Sequence, residues 1–220
     1  MIHKTFERVT KSDFTDELAV KFFLDELEKT AAPTEMLQKL RELGPHNLMI
    51  ALNNFRVILH SGKAEVDLGP EKISIDGVPA TGKIDHMSID DQQKKIEIYD
   101  FKTGNYHKEK WQSHATLYKY MLQLEFYRLL LKNSPTYSKY KVEKAHILFV
   151  TPDKDDEVYD KVYEYTDESE QELIKLIHAV YDSVLSLNFL HDPELFIQSD
   201  NSLGIKDIKN FVSLLLAKNK

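Results

Sequence analysis

The chain contains no cysteine. Disulfides are therefore excluded, and a reducing cytoplasm is the expected compartment. No apolar run approaches the roughly 20 residues that span a bilayer, and Met1-Ile2-His3-Lys4-Thr5-Phe6 lacks the apolar stretch of a secretory signal. A membrane partner is not expected. Internal repeats, low-complexity tracts and linkers long enough to divide the chain are absent as well. An excess of cations is also missing: the formal net charge is −7, whereas phosphate-binding domains tend to be basic. What is present is the composition of a soluble globular protein, 42% hydrophobic and 30% charged over 220 residues, enough for one large domain.

Distribution qualifies the charge. From Lys102 to Lys144, nine cations (Lys102, Lys108, Lys110, Lys119, Arg128, Lys132, Lys139, Lys141 and Lys144) face three acids (Glu109, Glu125 and Glu143), a local excess of +6. Aromatic side chains interleave them. Trp111, Tyr118 and Phe126 read as the buried stripe of a long helix. Tyr106, Tyr137 and Tyr140, near loops, read as platforms on which the bases of a single strand stack while cations track its phosphates.

The richest segment is Thr81-Gly82-Lys83-Ile84-Asp85, followed by Asp100-Phe101-Lys102-Thr103-Gly104. Two apolar strands flank the polar link Asp90-Asp91-Gln92-Gln93. An antiparallel hairpin folded about Gln92-Gln93 sets Asp85 opposite Asp100, with Cα atoms about 4.5–5.5 Å apart. Two carboxylates that close repel unless a cation lies between them. Lys102 shares the face of Asp100 by the strand period of two, and Phe101 takes the other face. Glu65 extends the set: short strands at 63–68 and 73–75, with turns at Gly69-Pro70 and Asp76-Gly77, form a meander that brings it alongside. Hard cations prefer oxygen ligands, so Glu65, Asp85, Asp100 and the backbone carbonyl of Phe101 make a shell suited to Mg²⁺, with Mn²⁺ as substitute. Lys102 then orients the attacking water or neutralises phosphoryl charge. Taken singly, each motif also fits solvated hairpin charges, and Gly82 a close backbone approach; their conjunction carries the reading.

Glu65, the Gly82-Lys83-Ile84-Asp85 strand, the Asp100-Phe101-Lys102-Thr103-Gly104 strand and the helical Gln123-Leu124-Glu125-Phe126-Tyr127 together resemble the PD-(D/E)XK nuclease superfamily. More narrowly they resemble the RecB-type nuclease modules of UvrD/Rep-like helicases. The resemblance covers residues 65–127 well and extends loosely to about residue 190. It implies a restriction-endonuclease-like α/β core, a mixed central sheet flanked by helices, and a metal-dependent deoxyribonuclease. Glu65, Asp85 and Asp100 would be metal ligands, Lys102 the catalytic lysine, and Gln123 and Tyr127 accessory residues. Helical spacing independently places Gln123 and Tyr127 on one face with Thr116 and Tyr120. Implied partners are DNA, above all single-stranded ends or flaps, and a helicase.

Departures matter too. Many relatives carry a histidine in the helix before the first acid; His46 and His60 are the upstream histidines near Glu65, and neither sits in a recognisable signature, so neither is assigned to metal. Without cysteine, the iron–sulfur cluster of some relatives is impossible. His86 stands where relatives often carry arginine, a change that would alter a phosphate contact.

Helices are expected over 12–29 (capped by Ser12 or Asp13), up to Leu43, over 46–59, 108–132, 167–187 and 205–217, with Gly44-Pro45 separating the second from the third. Residues 145–150 read as a buried strand and 158–165 as an edge strand. The expected organisation is an N-terminal helical extension (1–45), the nuclease core (46–190) and a C-terminal helical tail (191–220). Two other readings of the same residues are a nuclease-like module that has lost catalysis and serves DNA or partner binding, and an interaction module working through its terminal amphipathic helices.

Overall fold

Strand β5, Lys95–Lys102, alternates Ile96 and Ile98 with Tyr99 and Phe101, all buried. A strand apolar on both faces belongs in the middle of a covered sheet. In the computed structural model, which describes all residues but 13, 105, 107–113, 191, 193–194, 200–201, 206 and 219–220, β5 is the central strand of five. Their order is β1 (Gly62–Asp67), β4 (Lys83–Asp90), β5, β6 (Lys141–Phe149) and β7 (Tyr159–Glu164). All neighbours run antiparallel except β5 and β6. A parallel pair needs a crossover, which helix α4, His114–Lys132, supplies. This mixed sheet between helices is the architecture of a restriction-endonuclease-like fold.

Each sheet face has its own core. On one side Ile96, Ile98, Met87, Ile147 and Phe149 meet Leu124, Leu129, Leu130 and Leu131 of α4 and Leu173 of α5, Asp167–Ser186. On the other, Tyr99, Phe101, Leu148 and Val150 meet α1 (Ile2–Lys11), α2 (Asp16–Glu28) and α3 (Thr34–His60) through Phe6, Val9, Phe23, Leu48, Leu52 and Phe55. Phe6 and Val9 are each only 1% exposed; at about 1.5–3 kcal/mol per buried side chain, they fasten α1 to the sheet. The N-terminal helices thus form one layer of the domain.

Several sequence expectations are corrected. Helix α3 runs unbroken through Gly44-Pro45. A Cβ on Gly44 would lie 2.5 Å from Phe23 Cε1, so the glycine lets α2 approach closely, and burial along α3 outweighs the proline's missing N–H. Thr15, rather than Ser12 or Asp13, caps α2, its side chain accepting from the Leu18 N–H at 3.4 Å. Strands β2 (Ser74–Ile75) and β3 (Val78–Pro79) form a separate hairpin, and β1 pairs with β4 directly instead of through a meander. Residues beyond α5 include an unforeseen hairpin, β8 (Phe196–Ser199) with β9 (Ser202–Ile205), before α6, Ile208–Lys218. The expected beginning of α4, with Lys108, Lys110 and Trp111, lies outside the described residues. Among the described residues no helix is long and apolar enough to cross a membrane.

Candidate active site

The β4–β5 ladder pairs Asp90 with Lys95 and His86 with Tyr99. One step further along, Asp85 faces Asp100, and the Phe101 N–H donates to Asp85 Oδ2 at 2.9 Å. Across the other edge of β4, the β1 ladder pairs Ala64 with His86 and Val66 with Ile84, so Glu65 stands opposite Asp85. Glu65 has φ 53°, left-handed backbone that costs a residue with a Cβ about 1–3 kcal/mol. Its carboxylate reaches the donor cluster described below. Gly82 admits α4 beside this strand: a Cβ there would lie 2.6 Å from Leu130 Cδ1.

A histidine completes the cluster from an unexpected direction. His3 lies one turn before Phe6 on α1, and the burial of Phe6 carries it to the end of the sheet. Ligand atoms of His3, Glu65 and Asp85 all lie within 4.8 Å of one another. His3 Nε2 is 3.7 Å from Asp85 Oδ2 and 3.0 Å from the Phe101 carbonyl, so that carbonyl points into the same space. His46 and His60 are elsewhere: His46 meets Asp156 at 3.0 Å, and His60 is exposed.

Asp100 is 1% exposed, and its carboxyl is pushed up to about 6, chiefly by burial, with Lys102 pulling it back. Burial raises the Asp85 carboxyl as well, opposed by the Phe101 N–H and His3. Asp100 Oδ1 is buried without a hydrogen-bond partner; Oδ2 forms an ion pair with Lys102 Nζ at 2.6 Å. Lys102 Nζ donates to Gln123 Oε1 at 2.9 Å and lies 5.0 Å from the Tyr120 ring centroid. Gln123 Nε2 donates to the Tyr127 hydroxyl at 2.8 Å. Lysine only donates, so Gln123 must offer it oxygen, and its amide then turns to the tyrosine. Burial and the acid cluster raise the Tyr127 phenol further, keeping it protonated.

The donor set fits a hard divalent cation. Carboxylates, one carbonyl and one imidazole converge, and a buried carboxylate oxygen lacks any partner. The structure brings Glu65, Asp85 and the Phe101 carbonyl together with His3, and sets Asp100 against Lys102, Gln123 and Tyr127. Lys83 Nζ holds Glu65 at 2.5 Å, which raises the Lys83 ammonium. His86 is fully buried, with its ring against Tyr99 and Phe101, so it is turned into the core rather than toward a phosphate, and burial lowers it to about 4. Of the stacking candidates, Tyr137 is buried in the core, and Tyr106 packs on Phe149 and Tyr159.

The mixed sheet thus carries an acid on each of three adjacent strands, with a lysine two residues past the last acid. A model of the PD-(D/E)XK nuclease superfamily matches residues 1–195, and the chain belongs to that superfamily. No individual curated protein matches the chain.

Proposed function

We infer that the protein is a Mg²⁺- or Mn²⁺-dependent deoxyribonuclease of RecB type, acting on single-stranded ends or flaps in concert with a UvrD/Rep-like helicase during DNA repair or recombination. One observation carries this reading: His3, Glu65, Asp85 and the Phe101 carbonyl converge beside an ammonium, Lys102, held between Asp100 and Gln123. Glu65, Asp85 and Asp100 with His3 and the Phe101 carbonyl would hold the cation, which when bound acidifies a water and offsets phosphoryl charge.

The chain's own residues supply the rest. Asp100 and Gln123 fix the Lys102 ammonium so that it needs no reorientation as charge develops on the phosphate. Tyr127 holds Gln123, and the buried Leu124 and Leu130 on either side hold α4 against the sheet. The Tyr120 ring steadies the same ammonium from a third side. The +6 excess of residues 102–144 favours an incoming polyanion near the acidic cluster.

The test is cleavage of labelled single- and double-stranded DNA with Mg²⁺, Mn²⁺ or EDTA, by wild type and Lys102→Ala. Metal-dependent cleavage that falls by about 10²–10³-fold or more in the variant is expected, the scale of losing one charge-stabilising group. Binding without cleavage in any metal would make the protein a silent DNA-binding relative.

A further inference from the structure

At the far end of β4 from the acidic cluster, three lysines gather around two tyrosines. Lys63 stands on β1 opposite Met87, two residues before Glu65, while Lys139 and Tyr140 come just before β6, whose Lys141 pairs with Lys95. A cleft of about 550 Å³ is lined by Gly62, Lys63, Asp91, Tyr137, Lys139 and Tyr140. Lys63 Nζ donates to the Tyr137 hydroxyl at 3.3 Å and lies 5.4 Å from that ring's centroid. Lys94 and Lys139 lie 5.4 and 5.3 Å from the Tyr140 centroid. Backbone hydrogen bonds set both walls: the Lys141 N–H donates to the Lys94 carbonyl at 2.8 Å, and the Tyr140 N–H to the Tyr137 carbonyl at 2.9 Å. Asp90 Oδ1 accepts from the Gln92 and Gln93 N–H groups at 2.9 Å each, fixing the β4–β5 turn that carries Lys94.

Charge in this cleft is not balanced. Asp91, the acid lining it, accepts from the Tyr140 hydroxyl and pairs with Lys94 at 3.4 Å. Among the described residues no carboxylate lies within ion-pair distance of Lys63 or Lys139, although Lys139, behind the Tyr140 hydroxyl and Lys94, helps to lower the Asp91 carboxyl from nearby. Cations propped on aromatic rings at a concavity, outnumbering the one acid that lines it, match a phosphate. The rings themselves are covered by lysines, so the match is to backbone charge rather than to a stacked base.

We propose that the Lys63–Lys139 cleft is a second phosphate-binding position for the single strand cleaved at the acidic end, holding its backbone to one side of the scissile bond. This rests on the nuclease reading. The cleft touches none of the catalytic groups, so it adds affinity and register and leaves the bond-breaking step alone.

The test is fluorescence anisotropy of a labelled single strand of about 20 nucleotides in EDTA over a salt series, with melts run alongside. In Lys63→Ala combined with Lys139→Ala, the Kd should rise about tenfold, and the slope of log affinity against log salt should flatten by about 1.4, two single-strand phosphate contacts. Replacing both lysines by arginine should restore affinity and slope. A wild type that binds beside a double-alanine variant that binds equally overturns this inference alone. A wild type that binds no strand overturns the nucleic-acid reading, and this inference with it. Inorganic phosphate is the second arm: a wild-type melt raised by phosphate over matched chloride, lost in the double variant while strand affinities stay equal, makes this a free-phosphate site and overturns the strand assignment.

Discussion

Asp100 offers a sharp test because its burial and its charge conflict in the metal-free protein. The folded carboxyl titrates at about 6, against an ordinary 3.8. The native state therefore holds a proton that the unfolded chain has released between those values, and stability falls as pH rises through that window. At about 1.36 kcal/mol per pH step, ionised Asp100 costs the metal-free fold about 3 kcal/mol. The side chain is almost wholly buried, so solvent screening removes little of this. Asparagine keeps the shape and cannot ionise. In EDTA, Asp100→Asn should match wild type near pH 4 and exceed it by about 3 kcal/mol at pH 7.5. At about 2–4 °C per kcal/mol for a chain this size, the thermal midpoints should differ by about 6–12 °C. Thermal and urea melts of both proteins at several pH values supply the measurement. A variant no more stable than wild type at pH 7.5, or a difference independent of pH, would show that Lys102 fully offsets the burial of ionised Asp100, and the metal argument built on it would fail.

The remaining expectations follow from the same geometry. A divalent ion at ten times its Kd stabilises by about 1.4 kcal/mol, so Mn²⁺ should raise the wild-type melt by a few degrees and leave Asp85→Asn combined with Asp100→Asn unmoved; an equal shift in both would place the ion elsewhere. His3→Ala should raise the Mn²⁺ concentration for half-maximal cleavage by about tenfold or more, read from a metal titration; an unchanged titration would leave His3 a helix-packing residue. Gln123→Ala and Tyr127→Phe should lower single-turnover cleavage by about 10–100-fold, the usual effect of removing a supporting hydrogen bond. A loss of stability above about 2 kcal/mol with cleavage per folded molecule intact would instead mark them as packing residues.

What could be read directly was whatever obeys a short period. The β4–β5 register follows from the turn centre and the strand alternation alone, which is why Asp85 meets Asp100 and Lys102 joins the face of Asp100. The spacing of four that joins Gln123 to Tyr127 is equally local, and their hydrogen bond follows from it. The glycine of Gly82-Lys83-Ile84-Asp85 marks a close approach, and the structure names the neighbour, Leu130. By contrast, the turn signals at Gly69-Pro70 and Asp76-Gly77 were legible, but whether β2 and β3 join the main sheet depends on partners that no local pattern specifies.

His3 and Pro45 show where local reading ends. Pro45 breaks a helix by about 3 kcal/mol of local preference, but Leu48, Ala51, Leu52, Phe55 and Leu59 are all buried along one face of α3. At about 1.5–3 kcal/mol for each large side chain, that burial exceeds the proline's cost several times over, so the helix continues. His3 was missed for the complementary reason. A histidine carries no periodic signal of its own, and the residues flanking it form no metal-binding motif. A usable signal was present: Ile2, Phe6 and Val9 recur at helical spacing, which marks an amphipathic helix with an apolar face to bury. His3 is one turn before Phe6 on that face, so any fold that buries Phe6 delivers the imidazole to whatever lies at the sheet's edge. Here that edge carries Glu65 and Asp85. The ligand set is thus a consequence of core packing, with α1 holding its histidine through the same apolar contacts that close the second core.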